Sequence, residues 1–270
     1  MSIVSSLSEP LRSRARSNAL TRAASQEADR DEGSLPPLLV LMVYRARNIE
    51  LARILLRQVG AYADVRLWAL DEIVPELASR TFGCGPGVRF AHFNRLYGAK
   101  PVAEGSWMVL SDDDVFFTKG GLARVINLMG RAGFSLAQPG QSILGWWTDL
   151  FSIARPLALA RETNCVEQGP LIVADPAFAG QILPFPEDND MGWGIEAEWY
   201  RTKDGRFRIG IIDECRVVHC GRVAKSYPTG PEMERMRERL SRSGIDSIWQ
   251  LRTVTRYWWK WQRTPSWSEN

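Results

Sequence analysis

The sequence predicts an α/β fold in which helices cover both faces of an open sheet. Residues 38–44 form a short apolar run that follows two prolines, and such a run is typical of a strand buried on both faces. Apolar residues then recur at helical spacing over 51–59, and residues 65–70 have the pattern of a second strand. A strand, a helix and a strand within about 35 residues make a βαβ unit, whose usual setting is a doubly wound sheet.

The remaining elements follow from the same periodicities. Asn48 is expected to cap the first helix, which ends at Gly60. Beyond the βαβ unit, we expect a helix over 90–103, a strand at 107–110 with a short continuation at 115–117, a helix over 122–129, short strands and turns over 134–185, a helix at 196–200, strands at 209–212 and 216–219, and a charged helix at 232–240.

Composition divides the chain into three segments. Residues 1–34 are rich in Ser, Arg, Ala and Asp and have few large apolar side chains, so we expect a disordered leader. Residues 35–230 carry most of the predicted elements and form one domain, which suits a chain of 270 residues. Residues 231–270 add the charged helix and a tail rich in Trp and Arg.

Charge and cysteine content narrow the class of protein. The 34 basic and 31 acidic residues leave a net charge of +3, and the tail from Trp249 onward accounts for all of it. A nearly neutral body does not favour a nucleic-acid partner. Four scattered cysteines favour a reducing compartment, and no apolar run is long enough to span a bilayer. We therefore expect a soluble, cytoplasmic protein.

Three consecutive acids, Asp112, Asp113 and Asp114, follow the third predicted strand. Open α/β sheets bind ligands at the carboxyl ends of their strands, so these acids lie where a site is expected. In an extended segment Asp112 and Asp114 project to the same side, where their oxygens suit Mg²⁺ or Mn²⁺ bridging a diphosphate. The alternative interpretation is a solvated turn that caps the next helix.

The surrounding segment, FNRLYGAKPVAEGSWMVLSDDDVFF, resembles the region of inverting GT-A glycosyltransferases in which an Asn and small residues precede a strand ending in a DxD motif. The resemblance implies the GT-A fold, a Rossmann-like three-layer α/β/α arrangement with a mixed sheet. It also implies that Asp112 lies near the donor ribose and that Asp114, together with Asp112, binds Mn²⁺ or Mg²⁺. Asp113 is counted among the donor contacts.

A second segment, PFPEDNDMGWGIEAEW, resembles the acceptor-side motif of the same fold, in which a Gly-Trp-Gly turn opens the helix that carries the catalytic base. Gly192 and Gly194 permit a tight turn, and Trp193 is suited to stacking on a sugar face. The resemblance makes Glu196 the base that takes a proton from the acceptor hydroxyl.

The turn departs from the family pattern at one position. Galactosyltransferases with this turn usually carry Asp as the base where this chain has Ala197. Glu198, Asp190 and Asp188 therefore stay open as alternative bases. Inversion is the favoured stereochemical course, although some retaining members share a similar turn.

Two further segments extend the resemblance. IGIIDECRVVHCG contains His219, which resembles the C-terminal metal ligand of GT-A enzymes, although a histidine in an apolar strand is also typical of a core residue. VYRARN, after the first strand, resembles the Arg-rich turn that holds the nucleotide in galactosyltransferase-like members. Tyr44 is expected to stack on the base, and Arg45 or Arg47 to contact ribose or phosphate. The alternative for this turn is a basic loop that opens a helix.

These resemblances imply a metal-dependent hexosyltransferase that moves a sugar from a nucleoside diphosphate sugar, with a UDP-sugar preferred, to the hydroxyl of a glycan, a lipid-linked or a small-molecule acceptor. Two other classes stay open. A metal-dependent phosphohydrolase or nucleotidyltransferase would use the acids on phosphorus, and a non-enzymatic carbohydrate- or membrane-binding protein would use the tryptophans instead.

The tail is the segment with the strongest compositional bias. Five of the eleven tryptophans fall in the last 22 residues, interleaved with basic residues. Packing on the domain or on a second subunit is the first interpretation. Peripheral contact with the inner face of a membrane is the second, because Trp and Arg suit the lipid interface. Stacking on nucleic-acid bases is the third, and the nearly neutral body does not favour it.

Overall fold

The structure is a computed structural model that describes residues 9–24, 35–60, 63–188, 191–203, 205–221 and 229–261. Its strands are β1 Leu38–Tyr44, β2 Asp64–Ala69, β3 Thr81–Cys84, β4 Trp107–Ser111, β5 Val115–Lys119, β6 Leu136–Gln141, β7 Ala158–Thr163, β8 Leu171–Ala174, β9 Ile209–His219 and β10 Val254–Trp259. Its helices are α1 Glu9–Ala24, α2 Ile49–Val59, α3 Arg89–Gly98, α4 Leu122–Ala132, α5 Pro176–Ile182, α6 Ile195–Lys203, α7 Thr229–Arg242 and α8 Ile248–Leu251.

The ten strands of these ranges form one mixed sheet. Its order is β3-β2-β1-β4-β8-β6-β9-β7-β10, and β5 pairs with the second half of β9. β3, β2, β1 and β4 run parallel, as do β6 and β9. The other pairs are antiparallel. The predicted mixed sheet is confirmed.

Strand β1 explains why the fold has three layers. All seven of its residues are buried. The even-numbered residues pack against α2 and α4 on one face of the sheet, and the odd-numbered residues pack against α3, α5 and α6 on the other. A strand that is covered on both faces must be apolar throughout, which is the pattern that the sequence shows.

Several predicted elements have the expected positions, and others differ for identifiable reasons. β1 and α2 are confirmed, and Gly60 ends α2 with a φ of 95°. α3 ends at Gly98 rather than at residue 103, because Pro101 cannot continue a helix. β9 is one strand rather than two, although its pairing with β6 shifts register between Ile212 and Arg216. Asp213, within this stretch, pairs with buried Arg161 at 3.2 Å.

The prediction of a disordered leader is wrong for residues Glu9–Ala24, which form α1. Ala23 is 1% exposed and packs with Ile54, Phe116 and Val218. The residues of α1 in this cluster are Ala19, Leu20 and Ala23. Because two of the three are alanines, the helix has a packing face although it has few large apolar residues. The rest of the leader, residues 1–8 and 25–34, lies outside the described residues.

The tail contributes a strand to the sheet. Trp258 in β10 is 3% exposed and packs edge-on against Phe134, with ring centroids 5.2 Å apart. Trp249 and Trp261 are 64% and 62% exposed, whereas Trp267 lies outside the described residues. Part of the tail therefore packs on the domain. Among the described helices, none has the length and apolar character needed to cross a membrane.

Candidate active site

A cleft of about 950 Å³ opens where β1, β4 and β9 end. It lies beside the carboxyl ends of the parallel strands, the place where open α/β sheets bind ligands. Of the residues predicted from the sequence, those that line this cleft are Arg45, Arg47, Asp112, Asp113, Asp114, Trp193, Glu196 and His219. The fold therefore brings together segments that are remote in sequence.

Tyr44 is the predicted site residue that the structure places elsewhere. Its side chain is fully buried on the α2 side of the sheet, and its hydroxyl lies 3.1 Å from the hydroxyl of Thr81. Side chains alternate along a strand, so Val43 faces the cleft and Tyr44 faces away. The expectation that Tyr44 stacks on a nucleobase is therefore wrong.

Asp112 lies immediately after β4 and is held from two directions. Its carboxylate forms an ion pair with Arg89, with 2.9 Å between Asp112 Oδ1 and Arg89 Nη2. Its backbone N–H donates a hydrogen bond to the carbonyl of Pro170 at 2.8 Å. The Gly169–Pro170 peptide is cis, and a Cβ on Gly169 would lie 3.0 Å from Asp112 Oδ2. Burial raises the pKa of Asp112, although Arg89 partly offsets this effect.

Asp113 organises the turn that carries the basic residues. Its Oδ2 accepts a hydrogen bond from the backbone N–H of Arg45 at 2.6 Å, and its Oδ1 accepts one from Asn48 Nδ2 at 3.0 Å. Asn48 makes no side-chain cap to α2, because its amide is directed to Asp113 instead. Burial, followed by the charge of Asp114, raises the pKa of Asp113 to about 7.

Asp114 and His219 meet because β5 and β9 are antiparallel neighbours. Val115 pairs with His219 in register, and Cys220 N–H donates to the carbonyl of Asp114 at 2.8 Å. His219 Nε2 lies 3.1 Å from Asp114 Oδ1. Burial alone would lower the pKa of His219, but the charge of Asp114 and the contact with it raise that pKa to about 9. Burial alone would raise the pKa of Asp114, and His219 lowers it below its usual value.

The three groups form a candidate metal centre. Asp112, Asp114 and His219 each offer one ligand atom, and these atoms all lie within 4.8 Å of one another. Two carboxylates and an imidazole are ligands that Mn²⁺ accepts, and carboxylates also suit Mg²⁺. A Cβ on Gly221 would lie only 2.0 Å from Asp114 Oδ2, so glycine is needed to leave the carboxylate its place. The residues present therefore fit a divalent cation.

Glu196 lies in the first turn of α6 and lines the same cleft. It is 8% exposed, and its Oε2 accepts a hydrogen bond from the backbone N–H of Gly194 at 2.9 Å. Burial raises the pKa of Glu196 to about 7, although the hydrogen bonds of its own turn act in the opposite direction.

The alternative bases lie in different surroundings. Glu198 and Asp188 both pair with Arg239 of α7, with a distance of 3.0 Å to Glu198, and neither lines the cleft. Asp190 lies outside the described residues. Among the described candidates, Glu196 is the acid that lines the cleft.

The turn before α6 depends on its two glycines. Gly192 and Gly194 have φ angles of 76° and 89°, in the left-handed region that favours glycine. A Cβ on Gly194 would lie 2.9 Å from the Cα of Met236, so this turn lies directly against α7. Trp193, between the two glycines, lines the cleft.

Some residues that line the cleft were not predicted. Glu167 is held by Gln141 Nε2 at 2.6 Å, and its pKa is raised to about 7, chiefly by burial. Arg252, between α8 and β10, pairs with Asp149 and reaches the cleft from the C-terminal segment. Neither residue lies in a local motif, so only the folded chain reveals them.

Comparison with known proteins shows likeness in structure alone. No protein-family model matches the chain, and no curated protein matches it in sequence. A crystal structure of GalNAc-T7 with UDP, GalNAc and Mn²⁺ is similar, with a TM-score of 0.53 and 9% identity over 78% of this chain and 49% of that chain. The chain thus spans about half the length of that protein.

A structure of the inositol-1-phosphate CTP transferase from T. maritima also matches, with a TM-score of 0.37 and 11% identity over 75% of this chain and 97% of that one. A likeness this distant carries no conclusion. The GalNAc-T7 match, at its low identity, bears on the fold and not on activity. The chain has the GT-A fold, with a mixed sheet between two layers of helices.

Proposed function

We propose that the protein is a metal-dependent glycosyltransferase that moves a sugar from a nucleoside diphosphate sugar, a UDP-sugar by preference, to an acceptor hydroxyl. The observation that carries the proposal is the content of the cleft. The same cleft is lined by two carboxylates and an imidazole whose ligand atoms lie within 4.8 Å of one another, and by the buried carboxyl of Glu196. Such a set of residues offers one group for a leaving diphosphate and a different residue for the nucleophile.

Arg45 and Arg47 support the donor half. Both line the cleft beside the three acids, where a guanidinium suits the ribose or phosphate oxygens of a nucleotide. Asp113 fixes the backbone of this turn through the N–H of Arg45. Asp114, His219 and Asp112 would hold Mn²⁺ or Mg²⁺, which supplies positive charge to the departing diphosphate when it is bound.

Trp193 and Glu196 support the acceptor half. The indole of Trp193 suits stacking on a sugar face. Glu196 lies two residues after Gly194, the residue that ends the turn carrying Trp193, and it lines the same cleft. The acceptor oxygen forms a bond to the anomeric carbon while Glu196 takes the hydroxyl proton. The bond from that carbon to the diphosphate oxygen breaks, and its electron pair leaves with the nucleoside diphosphate. A single displacement of this kind inverts the anomeric centre.

Calorimetric titration tests the donor half. Purified wild type, Asp114→Ala and Glu104→Ala are titrated with UDP-, GDP- and TDP-sugars, with and without Mn²⁺. We expect one donor to bind in the presence of Mn²⁺, with loss of about tenfold or more in affinity in Asp114→Ala. Exposed Glu104 serves as the matched control, and its variant should bind as wild type does.

Two outcomes would contradict the proposal. If no nucleotide sugar binds to wild type in the presence of Mn²⁺, the transferase assignment is wrong. If nucleotide is hydrolysed at a rate that no sugar acceptor changes and Glu196→Gln leaves unaltered, the protein acts on phosphorus, and the hydrolase or nucleotidyltransferase alternative takes its place.

A further inference from the structure

Helix α1 contacts a loop beside the candidate metal centre, residues 142–147, which we call the Trp146 loop. Arg12 Nη2 donates a hydrogen bond to the carbonyl of Gly145 at 2.7 Å, and Arg16 Nη1 donates one to the carbonyl of Leu144 at 3.1 Å. Both guanidinium groups also lie over the Trp146 ring, 5.4 and 5.7 Å from its centroid. The two arginines therefore hold the loop by its backbone and by its aromatic side chain.

The Trp146 loop in turn contacts His219 through its backbone. Trp146 N–H donates to the carbonyl of His219 at 2.8 Å, and the carbonyl of Trp146 lies 3.2 Å from His219 Nδ1. A Cβ on Gly145 would lie 2.8 Å from the backbone nitrogen of His219, so the loop lies directly against this residue. The position of the loop thus decides which acceptor His219 Nδ1 meets.

A ligating histidine depends on such an acceptor. The hydrogen bond that one ring nitrogen donates fixes which nitrogen carries the proton, and so which one presents a lone pair to a metal. With the Nδ1 proton directed to Trp146, Nε2 is directed to Asp114, 3.1 Å away. Loss of the carbonyl from this position would release the ring to rotate or to change tautomer.

The helix itself is fixed on the strands that carry these ligands. Ala23 packs with Phe116 of β5 and Val218 of β9, and partly buried Leu144 of the Trp146 loop joins the same cluster. Asp114 precedes β5 and His219 ends β9. α1 therefore contacts both strands that carry these ligands and also the Trp146 loop.

We propose that Arg12 and Arg16 are positioning residues for the metal centre, acting through the Trp146 loop on His219. Neither arginine lines the cleft, so their effect passes through the Trp146 carbonyl. This inference rests on the proposed function in one respect, because it takes Asp112, Asp114 and His219 as the ligands of a divalent cation.

The test compares arginines on one helix in the full-length chain. Arg12→Ala/Arg16→Ala removes both contacts, and Arg14→Ala removes an exposed arginine from the same helix as the matched control. Mn²⁺ is titrated in the absence of a donor, at a temperature below the unfolding transition of each variant. Free Mn²⁺ is measured by electron paramagnetic resonance. We expect the dissociation constant to rise about tenfold in the double variant, at the lower end of the effect of removing a partner of a ligand. Arg14→Ala should bind as wild type does, and Arg12→Lys/Arg16→Lys should fall between.

A second readout reports the position of the ring directly. The chain has two histidines, so ¹⁵N-labelled imidazole spectra of the metal-free protein contain two sets of ring signals. In the double variant, the Nδ1 signal of His219 should shift as its hydrogen bond to Trp146 weakens. His92, which stacks on Trp68 with centroids 4.4 Å apart, is the internal reference and should not change.

The outcomes separate this inference from the proposed function. A double variant that is less stable to heat but binds Mn²⁺ with unchanged affinity and unchanged His219 signals would show that the arginines serve only the fold, and would overturn the inference alone. Wild type that binds no Mn²⁺ would overturn the metal centre together with the inference.

Discussion

Glu196 is the residue that we propose as the base of the acceptor half. Its carboxyl is buried, and one of its oxygens is already held by the N–H of Gly194. A base is most effective when its pKa lies near the working pH, and burial places the pKa of Glu196 at about 7.

Replacement of Glu196 by Gln should lower turnover and leave donor binding intact. Gln keeps the size and the contact with Gly194 but cannot take a proton, so we expect kcat to fall about 10²–10⁴-fold. Wild-type turnover should rise with pH through about 7, because the carboxyl must be ionised to act as a base. Steady-state kinetics over pH and donor titration measure both effects. Glu198→Gln, on the same helix, is the control, and a loss of turnover there equal to that of Glu196→Gln would contradict the assignment.

At the residue scale, the motifs predicted which residues lie close together, whereas the direction of single side chains was predicted less well. Asp112, Asp114 and His219 were predicted together, and the structure places them within reach of one ion. Tyr44 was mispredicted although the alternation of β1 carries the information, because Val43 and Tyr44 must face opposite sides of the sheet. Glu167 reaches the cleft through tertiary contacts that no local pattern encodes.

At the scale of elements, the turn that opens α6 depends on the distance between two helices. Gly194 has a φ of 89°, and the Cα of Met236 in α7 would lie 2.9 Å from a Cβ at this position. Backbone cannot move aside as a flexible side chain does. The turn therefore packs directly against α7, and Glu196 is bonded to the same turn through the N–H of Gly194.

Gly194→Ala should therefore destabilise the fold by more than the positive φ of this residue alone would. We expect the free energy of unfolding to fall by about 1–3 kcal/mol from the left-handed conformation, with a further loss from the contact with Met236. Gly205→Ala is the matched control, because Gly205 has a φ of 70° but open space around a Cβ. Chemical denaturation of both variants measures the difference. Equal losses would show that the contact between the turn and α7 has no energetic role.

Elements were predicted in proportion to the clarity of their apolar pattern. β1 and α2 have strong periodicity and were predicted closely, whereas residues 134–185 were predicted only as short strands and turns. β9 was divided because Asp213 and Glu214 resemble a turn, and a buried ion pair with Arg161 is not visible in sequence. α1 was missed because alanine forms most of its buried face.

At the scale of the whole molecule, burial raises the pKa of several carboxyl groups, three of which line the cleft. Burial raises the pKa of Asp113, Glu167 and Glu196 to about 7 in each case, and the buried Asp213 has a pKa raised to about 6. A carboxyl of this kind holds its proton more tightly folded than unfolded, so stability falls as pH rises from the unfolded pKa to the folded one. His219, with a pKa raised from 6.5 to about 9, contributes stability that is also lost as pH rises.

These shifts predict the direction of the pH dependence of stability. The metal-free protein should have a higher midpoint of thermal unfolding at about pH 5 than at about pH 8, by several degrees. Carboxyls with lowered pKa values, such as Asp64 and Glu214, gain their stability below this window and do not reverse the trend. Calorimetry across pH measures the midpoint. Glu167→Gln should flatten the dependence, and a midpoint that rises toward pH 8 would contradict the prediction.

The register of Val115 with His219 has a consequence for the order of events in folding. β5 and β9 are remote in sequence, and β9 also bonds to β6 and β7. Pairings between remote segments form late, because closing the intervening chain costs entropy before the contacts compensate for it. Asp114 and His219 therefore become neighbours only as the sheet closes. In a nascent chain that has not yet folded β9 into place, the candidate cation site is incomplete, so a divalent ion that needs all three ligands would bind after this part of the sheet has folded.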